Sequence, residues 1–303
     1  MPHFETLPAP RCKIGISPLS WTNDVLTDLG GDTPLEVCLD DAQAAGYAGI
    51  ELGRLFPRDG EALRKLLQPR RLELASGWHS GLLAQDSVAN ELLRVAPHAE
   101  LLQHMAAKVM VYGECGAMAE GQPLDLPMSR RRHLSAIDVD AYAQRLTNFG
   151  SAVLERWGLQ LVYHHHLMMV AETLDEVSNL FDQTGASVQL LLDTGHACAA
   201  GFDYTKLIDR FGDRIGHIHL KDVRPEVMRH IRSEDSSFNT GVRHGMFTIP
   251  GDGCVDYLPL ARFVRSSGYD GWLIVEAEQD PLKADPLPTV SRARSFVSRV
   301  FGS

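Results

Sequence analysis

This 303-residue chain lacks an excess of basic charge: 29 Lys and Arg stand against 39 Asp and Glu, giving a net charge of −10. Nucleic-acid binders ordinarily present a basic face, so no nucleic-acid partner is expected. Long apolar runs are also missing. None approaches the roughly 18 residues of a membrane span, and the N-terminal MPHFETLPAPRCK has no apolar core of leader length. Neither membrane contact nor export is therefore expected. Cysteine is sparse: Cys12, Cys38, Cys115, Cys198 and Cys254 are odd in number and scattered, without zinc-ribbon or redox spacing. Most read as small apolar core residues, and a reducing cytoplasm is the simplest compartment. No GxGxxG follows the first strand-like run, which removes the usual dinucleotide fingerprint. With no linker, low-complexity segment or short repeat, residues 1–303 read as one domain.

What is present is a series of short apolar runs: KIGISP (13–18), AGIELG (48–53), LELASGW (72–78), KVMVYGE (108–114), LQLVYH (159–164), VQLLLD (188–193), RIGHIHL (214–220) and GWLIVE (271–276). They are near-continuously apolar rather than alternating, as parallel strands covered by helices must be. Helix signals lie between them. Thr33-Pro34-Leu35-Glu36 reads as a capping box with proline at the first helical position, and Thr173-Leu174-Asp175-Glu176 as a second box. Residues 139–157 carry apolar side chains at helical spacing and end at Gly158. Eight strand–helix units predict an α/β fold, a closed (β/α)8 TIM barrel. Two connections, 114–138 after strand four and 222–270 after strand seven, are long enough to be functional lids.

Acids and histidines gather where these strands end: LVYHHH (161–166), LLLDTGH (190–196), HIHLKD (217–222) and WLIVEAE (272–278). In a parallel barrel those ends converge on the face that carries active sites. Imidazole mixed with carboxylate suits a divalent metal. Asp193 follows three leucines and is either a ligand or a helix N-cap. His217 and His219 share a strand face, so one can ligate while the other lies a layer deeper. Glu276 is the first charge after Trp272-Leu273-Ile274-Val275, and burying it unpaired would be costly. Glu278 shares its face. His164 and His166 point one way and His165 the other, the 164/166 face being preferred. Lys221 is either half of an exposed ion pair with Asp222 or a hydrogen-bond donor to a substrate oxygen. Trp21, Glu51, Trp78 and His79 sit at strand ends where they could line a sugar-sized pocket, or serve as core aromatics and caps. The basic run Arg130-Arg131-Arg132-His133 reads as solvated, with phosphate binding as the alternative.

Several stretches resemble the xylose-isomerase-like metal-dependent TIM barrels, and within them the inosose dehydratases: GISPLSWTND (15–24), SGWHSGLL (76–83), LLLDTGH (190–196), HLKDVRPEV (219–227), FTIPGDGCVDY (247–257) and GYDGWLIVEAEQDP (268–281). The resemblance runs nearly end to end. It implies a metal held by Asp193, His219 and Glu276, Mn2+ or Co2+ being favoured. The superfamily's fifth-strand glutamate is replaced by HHH, where His166 is the expected fourth ligand, with the choice among His164, His165 and His166 open. His164 or His196 is then the expected base and Lys221 the oxyanion partner. The implied reaction is loss of water from 2-keto-myo-inositol, a β-elimination beside a ketone, on a cyclitol or sugar substrate. A ketose 3-epimerase or sugar isomerase on the same barrel is the alternative, and a non-catalytic sugar-binding barrel the alternative of another class. Homo-oligomer formation is left open. LMMVAET (167–173) departs from the family, where small residues are more usual.

Overall fold

The structure, a computed structural model, describes residues 11–302. Most of the segment read above as lacking a leader core, residues 1–10, lies outside the described residues. The strands are β1 (Lys13–Ile16), β2 (Gly49–Leu52), β3 (Glu73–Gly81), β4 (Val109–Glu114), β5 (Gln160–His164), β6 (Val188–Asp193), β7 (Ile215–Leu220), β8 (Asp222–Val223), β9 (Phe247–Thr248) and β10 (Trp272–Val275). Eight of them close a parallel barrel in the order β1-β10-β7-β6-β5-β4-β3-β2, while β8 and β9 form a separate antiparallel ribbon. Each run read from the sequence contains one barrel strand. Only β3 extends well past its expected end.

Among the described residues eleven α-helices accompany the strands: α1 (Leu35–Ala44), α2 (Gly60–Leu67), α3 (Val88–His104), α4 (Val139–Trp157), α5 (Leu174–Gln183), α6 (Thr194–Ala199), α7 (Thr205–Phe211), α8 (Pro225–Ser233), α9 (Phe238–Arg243), α10 (Leu258–Ser267) and α11 (Pro286–Phe301). No helix among the described residues is long and apolar enough to cross a membrane. The capping box of α5 forms as read, Thr173 and Glu176 each satisfying the other's backbone. That of α1 does not: Pro34 itself occupies the N-cap, leaving Thr33 outside the helix with no cap bond. Helix α4 is capped by Asp138 and ends at Gly158, whose φ of 67° admits a left-handed turn.

Alternation along the strands explains the near-continuous apolar runs. Leu161, Tyr163, Leu190 and Leu192 join the core between sheet and helices. Their neighbours Val162 and Leu191 pack with Val109 and Val111 in a separate cluster that fills the barrel. Continuing that inward parity by two residues brings β5 to His164 and β6 to Asp193. Asp193 is the register partner of His219 on β7.

The connection after β7, read above as long enough for a lid, folds into β8, α8, α9, β9 and the outer helix α10. It meets the connection after β4. Asn239 Nδ2 donates to Asp125 Oδ1 at 2.7 Å, and the Ser129 amide donates to Asp235 at 2.9 Å. The basic run is likewise not all solvated. Arg131 is buried and pairs with Glu172 and Glu176 at 3.2 and 3.0 Å, tying the first connection to α5.

Candidate metal centre and active site

At the barrel mouth Asp193, His219 and Glu276 each use one polar atom for support, and their other atoms meet around His219 Nδ1. Asp193 Oδ1 accepts the His196 amide at 2.7 Å and so caps α6. The ligand and N-cap readings of Asp193 are therefore compatible. Its Oδ2 lies 3.2 Å from His164 Nε2 and 3.6 Å from His219 Nδ1. His219 Nε2 is held by Glu51 Oε1 at 3.1 Å, leaving Nδ1 facing inward. Glu276 Oε1 meets Lys221 Nζ at 2.5 Å, while Oε2 lies 2.9 Å from His219 Nδ1.

Those inward-facing atoms suit a cation. His219 Nδ1 and His164 Nδ1 are buried without an aligned hydrogen bond, and orphaned polar atoms of this kind call for an explanation such as an ion. Ligand atoms of His164, Asp193 and His219 lie within 4.8 Å of one another, as do those of Asp193, His196 and Glu276. The imidazole and carboxylate donors therefore fit a divalent metal. Electrostatics agree. Burial alone would raise the Asp193 and Glu276 carboxyls, but neighbouring His and Lys221 charges outweigh it, holding Asp193 well below its ordinary value and Glu276 at about 2. Burial disfavours a charged His219, yet Glu276 and Glu51 lift its pKa well above the ordinary value.

A second group stands beside the first. The His166 and His196 rings pack with centroids 3.7 Å apart and planes tilted by 39°, and ligand atoms of both lie within 4.8 Å of Glu278. The expected ligand His166 is thus grouped with these residues rather than with Asp193 and His219. The reason is local. β5 stops at His164, so strand alternation no longer governs position 166. His165 turns the other way, accepting the Asp193 amide at 3.3 Å.

Lys221, expected as an oxyanion partner, is fully buried behind the carboxylates. Its ammonium lies 3.1 Å from Glu278 Oε1, 2.9 Å from His196 Nε2 and 4.7 Å from the Phe247 ring centroid. Its stem passes over Gly195, where any Cβ would sit 2.5 Å from Lys221 Cγ. Two expected pocket residues are placed elsewhere. His79 neighbours Trp78 on β3 and so faces the helices, 2.5 Å from Glu91. Trp21 is fully buried, its indole donating to Asp41 of α1 at 2.8 Å.

The cavity above these groups has a volume of about 500 Å3, within the ordinary range for small-ligand sites. Glu51, Trp78, His164, His219, Glu276 and Glu278 all line it. Glu51 also accepts from His217 at 3.0 Å and from Ser76 at 2.5 Å. The sequence reading missed its cover: Met118 and Asp125 from the first connection, with Phe238 and Asn239 of α9. No strand-end signal marks such residues, because only the meeting of the two connections brings them there.

Comparison with known proteins places this geometry. Residues 39–298 match a family model described as a xylose isomerase-like TIM barrel. Over 288 residues the chain is 42% identical to the rhizopine catabolism protein MocC of Rhizobium meliloti, covering 95% of this chain and 88% of that one. It is 36% identical over 294 residues to an inosose dehydratase of Geobacillus thermodenitrificans, covering 96% and 98%. Among solved structures, the IOLI protein with a binding zinc atom superposes with a TM-score of 0.64 at 16% identity, covering 96% and 98%.

Proposed function

This chain belongs to the xylose isomerase-like TIM-barrel family, and from that premise we propose that it is a hydro-lyase that dehydrates an inosose. The substrate is 2-keto-myo-inositol (scyllo-inosose), which loses water to give a trihydroxycyclohexane-1,2-dione. The observation that carries the reading is the buried cluster at the barrel mouth, where His219 Nδ1 lies 3.6 Å from Asp193 Oδ2 and 2.9 Å from Glu276 Oε2. With His164 as fourth ligand in place of His166, these residues would hold a divalent metal. Mn2+ or Co2+ is favoured because imidazole donors suit borderline ions. When bound, the ion polarises the substrate ketone as a Lewis acid.

The chain's own groups handle the protons. His166 is the base: its Nδ1 donates to the Leu167 carbonyl at 2.6 Å, which leaves the lone pair on Nε2. Burial holds its pKa well below the ordinary value, so the ring rests neutral with Nε2 unprotonated, the state a base must start from. His196, an expected base, instead fixes the His166 ring by packing against it. Glu278 is the acid. It lines the cavity, and burial raises its carboxyl against the opposing pull of Lys221, so it can carry a proton to the departing hydroxyl. Lys221 offsets the charge of Glu276 from behind and stands ready to offset the charge Glu278 takes on once its proton has left.

The test is to strip the protein with a chelator, restore Mn2+, Co2+ or Mg2+ separately, and supply scyllo-inosose beside ketohexoses. The expected product is lighter than inosose by one water, with Mn2+ and Co2+ restoring more activity than Mg2+. His166→Ala should retain metal and lose turnover, whereas His164→Ala should lose metal. Full activity without metal, or an epimerised ketose of unchanged mass with no dehydrated inosose, overturns the assignment.

A further inference from the structure

Away from the cavity, the fold brings together two cysteines 56 residues apart in the chain: Cys198 Sγ lies 3.6 Å from Cys254 Sγ. Both are free thiols, Cys254 exposed and Cys198 partly buried. Each sits on braced backbone. Cys198 lies near the end of α6, whose first turn Asp193 caps. The Cys254 amide donates to the Val223 carbonyl at 3.1 Å. On either side of it, the Gly251 and Val255 amides donate to the Asp222 carboxylate at 3.0 and 2.9 Å. A disulfide bond is about 2.05 Å long, so the sulfurs need to approach by only about 1.5 Å.

We propose that Cys198 and Cys254 form a reversible disulfide that staples α6 to the segment between β9 and α10. The reaction balances with a small-molecule disulfide as oxidant. The exposed Cys254 attacks it as thiolate, forming a mixed disulfide and releasing one small thiol. Cys198 then loses its proton, attacks the Cys254 sulfur and releases the second. Two protein thiols are oxidised while one small disulfide is reduced to two thiols. Burial pushes the Cys198 thiol up to about 12, which makes it the resolving rather than the attacking group. The stapled segment lies behind the active site, where the Tyr257 hydroxyl donates to the Lys221 carbonyl at 3.0 Å. Closing so long a loop in the unfolded chain stabilises the folded one.

The folded protein is treated with hydroxyethyl disulfide, then denatured for thiol counting, mass measurement and peptide mapping. Free thiols should fall from the five present in the chain to Cys12, Cys38 and Cys115. The mass should drop by two hydrogens, one cross-linked peptide pair should contain Cys198 and Cys254, and Tm should rise by several degrees until reductant is added. Cys198→Ser should trap the small thiol on Cys254, whereas Cys254→Ser should take up none. Retention of all five thiols, a persistent adduct on Cys254 in the unaltered chain, or prior reaction of Cys12, Cys38 or Cys115 would each overturn the proposal.

Discussion

Asp193 performs two tasks with two oxygens, and substitution can separate them. Oδ1 caps α6 through the His196 amide at 2.7 Å, whereas Oδ2 faces His164 and His219. Asp193→Asn keeps an acceptor for the amide but replaces the second oxygen with an NH2 group that cannot ligate. Asp193→Ala removes both. Each variant loses the same buried charge, so that contribution cancels when the two are compared. What remains is the cap, worth about 1 kcal/mol within a range of roughly 0.5–2. In a chain of this size that separates the metal-free Tm values by about 2 °C, Asn above Ala. Metal affinity should fall in both by about 100-fold or more, since a ligand supplies a few kcal/mol of binding. The assays are thermal melts with chelator present and titration of metal against a chromophoric competitor. Equal Tm values for the two variants would remove the capping role. Wild-type metal affinity in Asp193→Asn would refute the placement of Oδ2.

Two further predictions concern pH. Because Glu276 and Glu51 keep His219 protonated well above the ordinary histidine range despite its burial, an entering metal must displace that proton. Metal affinity should therefore rise about tenfold per pH unit between about pH 6 and 8, and a flat profile by competition titration counts against His219 as a ligand. Burial raises the Glu114 carboxyl to about 7 despite hydrogen bonds from Tyr112 and the Ala84 amide. The folded state then keeps a proton that the unfolded chain loses above about pH 4.5, so stability present below that pH is lost as pH climbs to about 7, by about 3 kcal/mol at most. The Tm difference between wild type and Glu114→Gln should shift by several degrees across this window, and an unchanging difference would refute it.

Much of this was legible in the sequence because a covered parallel strand has few ways to read. Continuous apolar runs marked all eight barrel strands, and the two-residue period carried Val162 to His164 and Leu191 to Asp193 on the inward face. The same period explains one error: Trp78 and His79 are neighbours on β3, so only one of them can face the cavity. Where a strand stopped, the sequence ceased to be a guide. His164 and His166 share a face only while β5 continues, and it ends at His164. Tertiary packing then decided that His166 packs against His196 and that the Lys221 stem crosses Gly195 to place its ammonium behind Glu276. Residues far apart in the chain, such as Cys198 and Cys254 or Asp125 and Asn239, carry no spacing signal at all. Local chemistry and periodicity set which residues end each strand, but contacts between connections depend on where whole elements come to rest.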